Sequence, residues 1–156
     1  MKFVKYFIIV GVFLLSIMLS QCDKTDSILS AKMEAKIDNT EWKSITRVTN
    51  LIDDKFTITG TSVSGEIISI TVFGKTTGTY ELKADFTSIE FAAFYKPDVS
   101  STTENYVASS GIVEITEIDS ENNKISGTFH FDAYKNLTEK ISITDGSFDD
   151  LKYVTN

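Results

Sequence analysis

Three regimes of hydrophobic patterning divide the chain. Phe7 to Leu19 is apolar but for Gly11 and Ser16, Asp23 to about Lys32 is mostly polar or small, and from Met33 onward apolar and polar positions alternate. The first run, helical at about 1.5 Å per residue, covers about 20 Å and falls short of the roughly 30 Å hydrocarbon core of a bilayer. Behind the positive start of Lys2 and Lys5 it predicts a signal-peptide h-region and not a spanning helix. The second regime has nothing to build a core and predicts a flexible tether. In the third, Phe56, Ile58 and Gly60 share one face and Thr57, Thr59 and Thr61 the other, the period of two that a half-buried strand requires.

That alternation predicts about ten short strands. They fall at Met33 to Asp38, Glu41 to Thr49, Lys55 to Ser62, Glu66 to Phe73, Gly78 to Leu82, Ser88 to Lys96, Asn105 to Ser109, Gly111 to Ile118, Lys124 to Ala133 and Lys140 to Phe148. Turn formers separate them at Asp38-Asn39, Asp53-Asp54, Ser64-Gly65, Gly74 to Gly78 and Asp119 to Asn123, and Pro97, the single proline, ends a ladder after Lys96. Ala84 to Ala93 is compatible with a short helical turn. Ile58-Thr59-Gly60-Thr61 and Ile125-Ser126-Gly127-Thr128 look alike, each with a glycine placed to kink or bulge its strand. The expectation is an all-β, antiparallel domain of hairpin-connected strands, either a sandwich or a closed or flattened barrel.

Leu19-Ser20-Gln21-Cys22 resembles the lipobox of bacterial lipoproteins, with Gln21 larger than the residue usual before the cut. Cys22 is the chain's one cysteine and stands where the h-region ends. The resemblance implies a diacylglycerol thioether on Cys22, cleavage before it and acylation, for example by palmitate. Two or three chains at about 0.8 kcal/mol per buried methylene anchor a protein stably. The domain plan is then a signal peptide over 1–21, lipidated Cys22 and tether over 22–32, and one β domain over 33–156. The expected location is the cell envelope, with the outer membrane favoured over the inner one and either of its faces open. Within the tether, Asp26-Ser27-Ile28 resembles a bacteroidete O-glycosylation site, with plain linker as the alternative at Ser27; Asn136-Leu137-Thr138 matches the N-glycosylation sequon.

The formal charge is −7, and loss of Lys2 and Lys5 makes it two units more negative. That argues against a nucleic-acid partner and against an electrostatic grip on anionic lipid. Arg47 is the only arginine, so bidentate phosphate clamps are nearly absent. His130, the only histidine, shares one strand face with Ser126, Thr128 and Asp132, while Ile125, Gly127, Phe129 and Phe131 share the other. The polar row reads as a ligand groove or as a solvated sheet face; no Gly-x-Ser-x-Gly elbow accompanies it. Acidic residues gather at Asp53-Asp54, Asp119 to Asn123 and Asp145 to Asp150 without the twelve-residue calcium-loop spacing, so tight turns account for them and no metal is expected. One histidine and no free cysteine argue against zinc. In Glu90 to Tyr95 apolar residues occupy both parities, which fits a strand buried on both sides or one that exposes an aromatic.

Ala35-Lys36-Ile37-Asp38-Asn39-Thr40-Glu41-Trp42, Ile125-Ser126-Gly127-Thr128-Phe129 and Ile143-Thr144-Asp145-Gly146-Ser147-Phe148 together resemble small, uncharacterised all-β lipoproteins of bacteroidete bacteria. The resemblance implies an opening hairpin, a central strand and a closing strand, with Trp42 a core anchor and Gly146 a bulge within the last strand. It carries no catalytic residue. The functional expectation is a lipid-anchored, non-enzymatic binding or accessory module with no cofactor, held to the membrane through Cys22 and facing a glycan, small molecule or envelope protein. The alternatives are a calycin-like barrel carrying an apolar ligand and a carboxylate-dependent envelope hydrolase.

Overall fold

The computed structural model describes residues 31–82, 93–101 and 104–155, and among these there is no helix. Ten strands follow in order: β1 (Lys32–Ile37), β2 (Thr40–Ile52), β3 (Lys55–Ser62), β4 (Ile67–Phe73), β5 (Gly78–Glu81), β6 (Ala93–Lys96), β7 (Tyr106–Asp119), β8 (Lys124–Lys135), β9 (Glu139–Lys152) and β10 (Val154–Thr155). The sheet runs β1-β9-β8-β7-β6-β4-β3-β2 and returns to β1 through the β1–β2 ladder, so eight antiparallel strands close into a barrel. Closure removes the open edges that a sandwich keeps. The two remaining strands extend lanes of this wall. β5 pairs with Ile112 to Ile115 of β7 on the side where β6 pairs with Tyr106 and Val107, and β10 runs parallel to β2 at Asn50 and Leu51, on the side that β1 occupies further along.

Hairpin chemistry sets the register. Asp38 and Asn39 (φ 45° and 68°) and Asp53 and Asp54 (φ 50° and 60°) are two-residue loops with both central residues left-handed, the turn that matches the twist of paired strands. Asp and Asn tolerate that conformation. At Asp119 the carboxylate Oδ1 accepts from the Glu121 and Asn122 amides at 3.0 Å and closes the β7–β8 loop. Inward side chains fill the barrel: Met33, Trp42, Phe56, Ile58, Ile68, Ile70, Val113, Ile115, Phe131, Ile143 and Phe148 are all buried, and the Phe129 ring stands 6.4 Å from those of Phe131 and Phe148. Trp42 is the core anchor the family resemblance implies.

Five one-residue bulges coil the three longest strands. They sit at Ile45 on β2, Ser109 and Thr116 on β7, and the Asp145 and Asp150 positions of β9. Each adds local twist and helps a long strand follow a closed wall. Asp145 and Asp150 take the left-handed conformation, at φ 50° and 52°.

The bulges correct several sequence expectations. Asn105 to Ser109 and Gly111 to Ile118 are one strand, β7, since the extra residue at Ser109 moves the buried parity from Ala108 to Val113 without breaking the ladder. The closing strand does not stop at Phe148 but runs to Lys152, and the acidic segment from Asp145 to Asp150 is strand, not turn. Gly146 lies beside a bulge inside β9, as the resemblance implies. Gly127 also flanks bulges, whereas Gly60 pairs in register with Arg47, one residue short of the Ile45 bulge, and its missing side chain leaves room for Met33 Sδ and the Trp42 ring, each 2.8 Å from where a Cβ would stand. β10 is an element the pattern did not suggest. The helical turn at Ala84 to Ala93, the first part of Ser88 to Lys96, the signal peptide, Cys22 and Ser27 lie wholly or mainly outside the described residues.

Candidate functional site

On the outer face of β7, β8 and β9 the strands bring polar side chains into rows. Ser110, Asp132 and Ser142 are cross-strand partners in one row; Glu114, Thr128 and Ser147 form another. Between them Ile112 opposes His130, which faces the bulged stretch Thr144–Asp145. The extra residue on β9 spreads the two rows apart there, and an open groove of about 920 Å³ follows the bulge, with Ser110, His130, Asp132, Ser142, Thr144 and Ser147 along it.

The alternation expected for this strand holds at Ile125, Gly127, Phe129 and Phe131, which point inward, and at Thr128, His130 and Asp132, which do not. Ser126 departs from it. Its side chain is buried, and its Oγ accepts the Asp150 amide at 3.0 Å, satisfying a donor at the second β9 bulge. Sequence reading put Thr128, His130 and Asp132 in one polar row but did not place Ser110, Ser142, Thr144 or Ser147 beside them. Finding them needed the cross-strand register, whose clue was the parity slip from Ile141 and Ile143 to Gly146 and Phe148.

Asp132 organises the groove's electrostatics. Ser142 Oγ donates to Asp132 Oδ1 at 2.7 Å, and Lys140 Nζ lies 2.9 Å from Oδ2. These bonds, Ser142 first and Lys140 next, hold the Asp132 carboxyl below the usual range, and in return Asp132 raises the Lys140 ammonium. At the bulge, Lys36 meets Asp145 at 2.8 Å, and that hydrogen bond raises the lysine. A serine nucleophile needs its hydroxyl aimed at the histidine with the acid behind the ring. Here the Ser142 hydroxyl is bonded directly to the acid. The geometry suits hydrogen bonding to a ligand's hydroxyl or amide groups better than nucleophilic attack.

The acidic clusters have local work. Asp53 and Asp54 form a hairpin turn, with Asp54 bonded to Lys75 at 2.8 Å. Asp119 caps its loop, and its bonds to the Asn122 side chain and amide lower its carboxyl. Asp150 pairs with Lys124 at 3.1 Å. Among the described residues no group of three or more His, Cys, Asp or Glu side chains is placed to hold a metal. In the Glu90 to Tyr95 stretch the described part shows Ala93 and Tyr95 buried and Phe94 half-buried. The Asn136-Leu137-Thr138 sequon occupies the tight β8–β9 turn.

A family model described as a domain of unknown function (DUF6252) matches residues 30–152. No curated protein and no solved structure matches the chain.

Proposed function

The chain belongs to the DUF6252 family, a domain of unknown function, and from that premise we propose that it is a lipid-anchored envelope protein whose barrel is a non-enzymatic binding module. The signal-like run and the lipobox-like Leu19-Ser20-Gln21-Cys22 supply the anchor half of this reading. The groove over β7, β8 and β9 carries the binding half, because its bulge places hydroxyls and a carboxylate around an exposed imidazole. A neutral glycan or an extended peptide offers the complementary donors and acceptors. The hydrolase and apolar-carrier alternatives draw on less. Ser142 is engaged with Asp132, and Met33, Trp42, Phe129, Phe131 and Phe148 occupy the barrel interior.

Each half has its own test. Produced in an exporting bacterium with labelled palmitate, the chain is expected to carry the label and sediment with membranes, and Cys22→Ser to lose both; an unlabelled, soluble native chain would sink the anchor. For the groove, the single His130 gives one imidazole signal by NMR. Titration with peptidoglycan fragments, neutral oligosaccharides and an alanine-rich peptide is expected to move that signal saturably with one class. Thr144→Arg, which fills the groove, should abolish the movement. A signal indifferent to all three probes removes the groove as the binding surface.

A further inference from the structure

The two sides of the barrel wall differ in charge. β7, β8 and β9 carry eight carboxylates and four lysines, whereas β2, β3 and β4 carry one carboxylate, Glu41, beside Lys43, Arg47 and Lys55. In a chain of net charge −7 this leaves the strands of one wall nearly free of acid, with Asp53 and Asp54 confined to the β2–β3 turn at its end, where Asp54 is paired with Lys75 at 2.8 Å. The same wall holds exposed apolar side chains: Ile45, Val48, Ile52, Phe73 and Val154 are 40 to 62 % exposed. Register places three of them together with Lys55. Val154 pairs with Asn50 and Ile52 with Lys55, while the Lys55 ammonium lies 5.8 Å from the Phe73 ring centroid. Val154, Ile52, Lys55 and Phe73 thus form a band across β10, β2, β3 and β4, about 15 Å wide at about 4.8 Å per strand.

We propose that this wall lies against the lipid surface that holds the acylated Cys22, an inference that rests on the anchor reading above. Ten positions separate Cys22 from Lys32, and such a segment reaches about 35 Å at most, so the barrel stays within about its own width of the bilayer. The tether joins β1, which stands between the two walls, paired to β9 on one side and β2 on the other. Attachment therefore allows either wall to face the lipid, and charge decides. The β7–β9 wall would bring eight strand carboxylates against the headgroups, while the strands of the β2–β4 wall bring one carboxylate, three cations, threonines and apolar side chains of the kind that settle into the interface, with Asp53 and Asp54 at the turn on its end. With so few cations, the contact is apolar and insensitive to salt.

The test uses the full chain, produced lipidated and reconstituted into phosphatidylethanolamine vesicles. Acylation ties up Cys22, so Val48→Cys, Phe73→Cys and Leu137→Cys each offer a single thiol for an environment-sensitive fluorophore. Leu137 sits on the β8–β9 turn at the far end of the barrel and is 79 % exposed. Labels at 48 and 73 are expected to shift to the blue and to be quenched by brominated lipid at least twofold more than the label at 137, unchanged by 0.5 M salt. Adding Val48→Asp should return the label at 73 to a water-like emission while the chain stays on the vesicles. Equal, water-like emission at all three positions on a vesicle-bound chain overturns the proposal and leaves the anchor standing. Stronger quenching at 137 also overturns it, by turning the barrel over. A chain that does not bind vesicles removes the anchor reading and this inference with it. Unfolding midpoints of the unlabelled variants, followed by Trp42 emission, separate misfolding from altered docking.

Discussion

The β2–β3–β4 wall and the β7–β8–β9 wall solve the same geometric problem with different means. β3 alternates without a slip, each buried residue followed by a half-buried one, and the only bulge on that side is at Ile45. The opposite wall changes parity four times, at Ser109 and Thr116 on β7 and at Asp145 and Asp150 on β9. Closing a barrel needs extra twist somewhere, and here it is concentrated where the strands are longest. The bulges also push backbone and rings close together, which is why the glycines differ between the walls. A Cβ at Gly127 would stand 2.2 Å from the Glu114 carbonyl oxygen and 2.6 Å from the Phe148 ring; at Gly60 it would meet the end of Met33 and the edge of Trp42 at 2.8 Å. A carbonyl fixed in a ladder cannot move aside as a methionine can.

The largest expected effect breaks that contrast directly. Gly127→Ala should lower unfolding free energy by about 3 kcal/mol and Gly60→Ala by about 1 to 2 kcal/mol, since overpacking against rigid backbone costs more than against a flexible side chain. Urea denaturation followed by Trp42 emission reads both. Equal losses would mean that the bulged wall relaxes as easily as the regular one.

The bulge residues come next. Asp145 holds φ at 50°, where a β-branched side chain is strained and glycine is not. Asp145→Val is expected to cost about 1 to 2 kcal/mol and Asp145→Gly to stay within about 0.5 kcal/mol. The glycine variant loses only an ion pair with Lys36 that is open to water. A loss as large for glycine as for valine would show that charge, not backbone conformation, matters at the bulge.

These differences also set how much of the molecule was legible in the sequence. Lys55 to Ser62 was read to the residue because its period of two never slips. The β1–β2 and β2–β3 hairpins announced themselves through Asp38-Asn39 and Asp53-Asp54, residues that accept left-handed backbone. Reading failed where the period slipped. One extra residue flips every later side chain, so β7 looked like two strands and β9 seemed to end three positions after Asp145. The candidate groove was half legible for the same reason. His130 and Asp132 lie on one strand and share a parity, but their neighbours Ser142, Thr144 and Ser147 are placed by a bulge and by pairing across strands. The choice of barrel over sandwich was not legible, because it depends on β1 pairing with both β2 and β9, a contact between distant parts of the chain.

The smallest effect is electrostatic and sharpens the same division. Among the described residues, the carboxyls held below their usual range are Asp98, by the Ser100 amide and hydroxyl, Asp119, by Asn122, and Asp132, by Ser142 and Lys140. None belongs to β2, β3 or β4. A carboxyl lowered in the folded state contributes stability that is present above its unfolded value near 3.9 and is lost as pH falls through its lower folded value. Asp98 is exposed and Asp119 and Asp132 are half-buried at the surface, so water screens each contribution and global stability should change little between pH 7 and pH 4. Below pH 4 the losses should gather on one side: amide exchange in β7, β8 and the β7–β8 loop, corrected for the intrinsic pH dependence, is expected to quicken relative to β3. Asp132→Asn should remove part of that local acid sensitivity on β8 while leaving β3 unchanged. Uniform acid loosening of both walls would mean that the barrel opens only as a whole, and that the uneven charge governs what the walls face but not how they come apart.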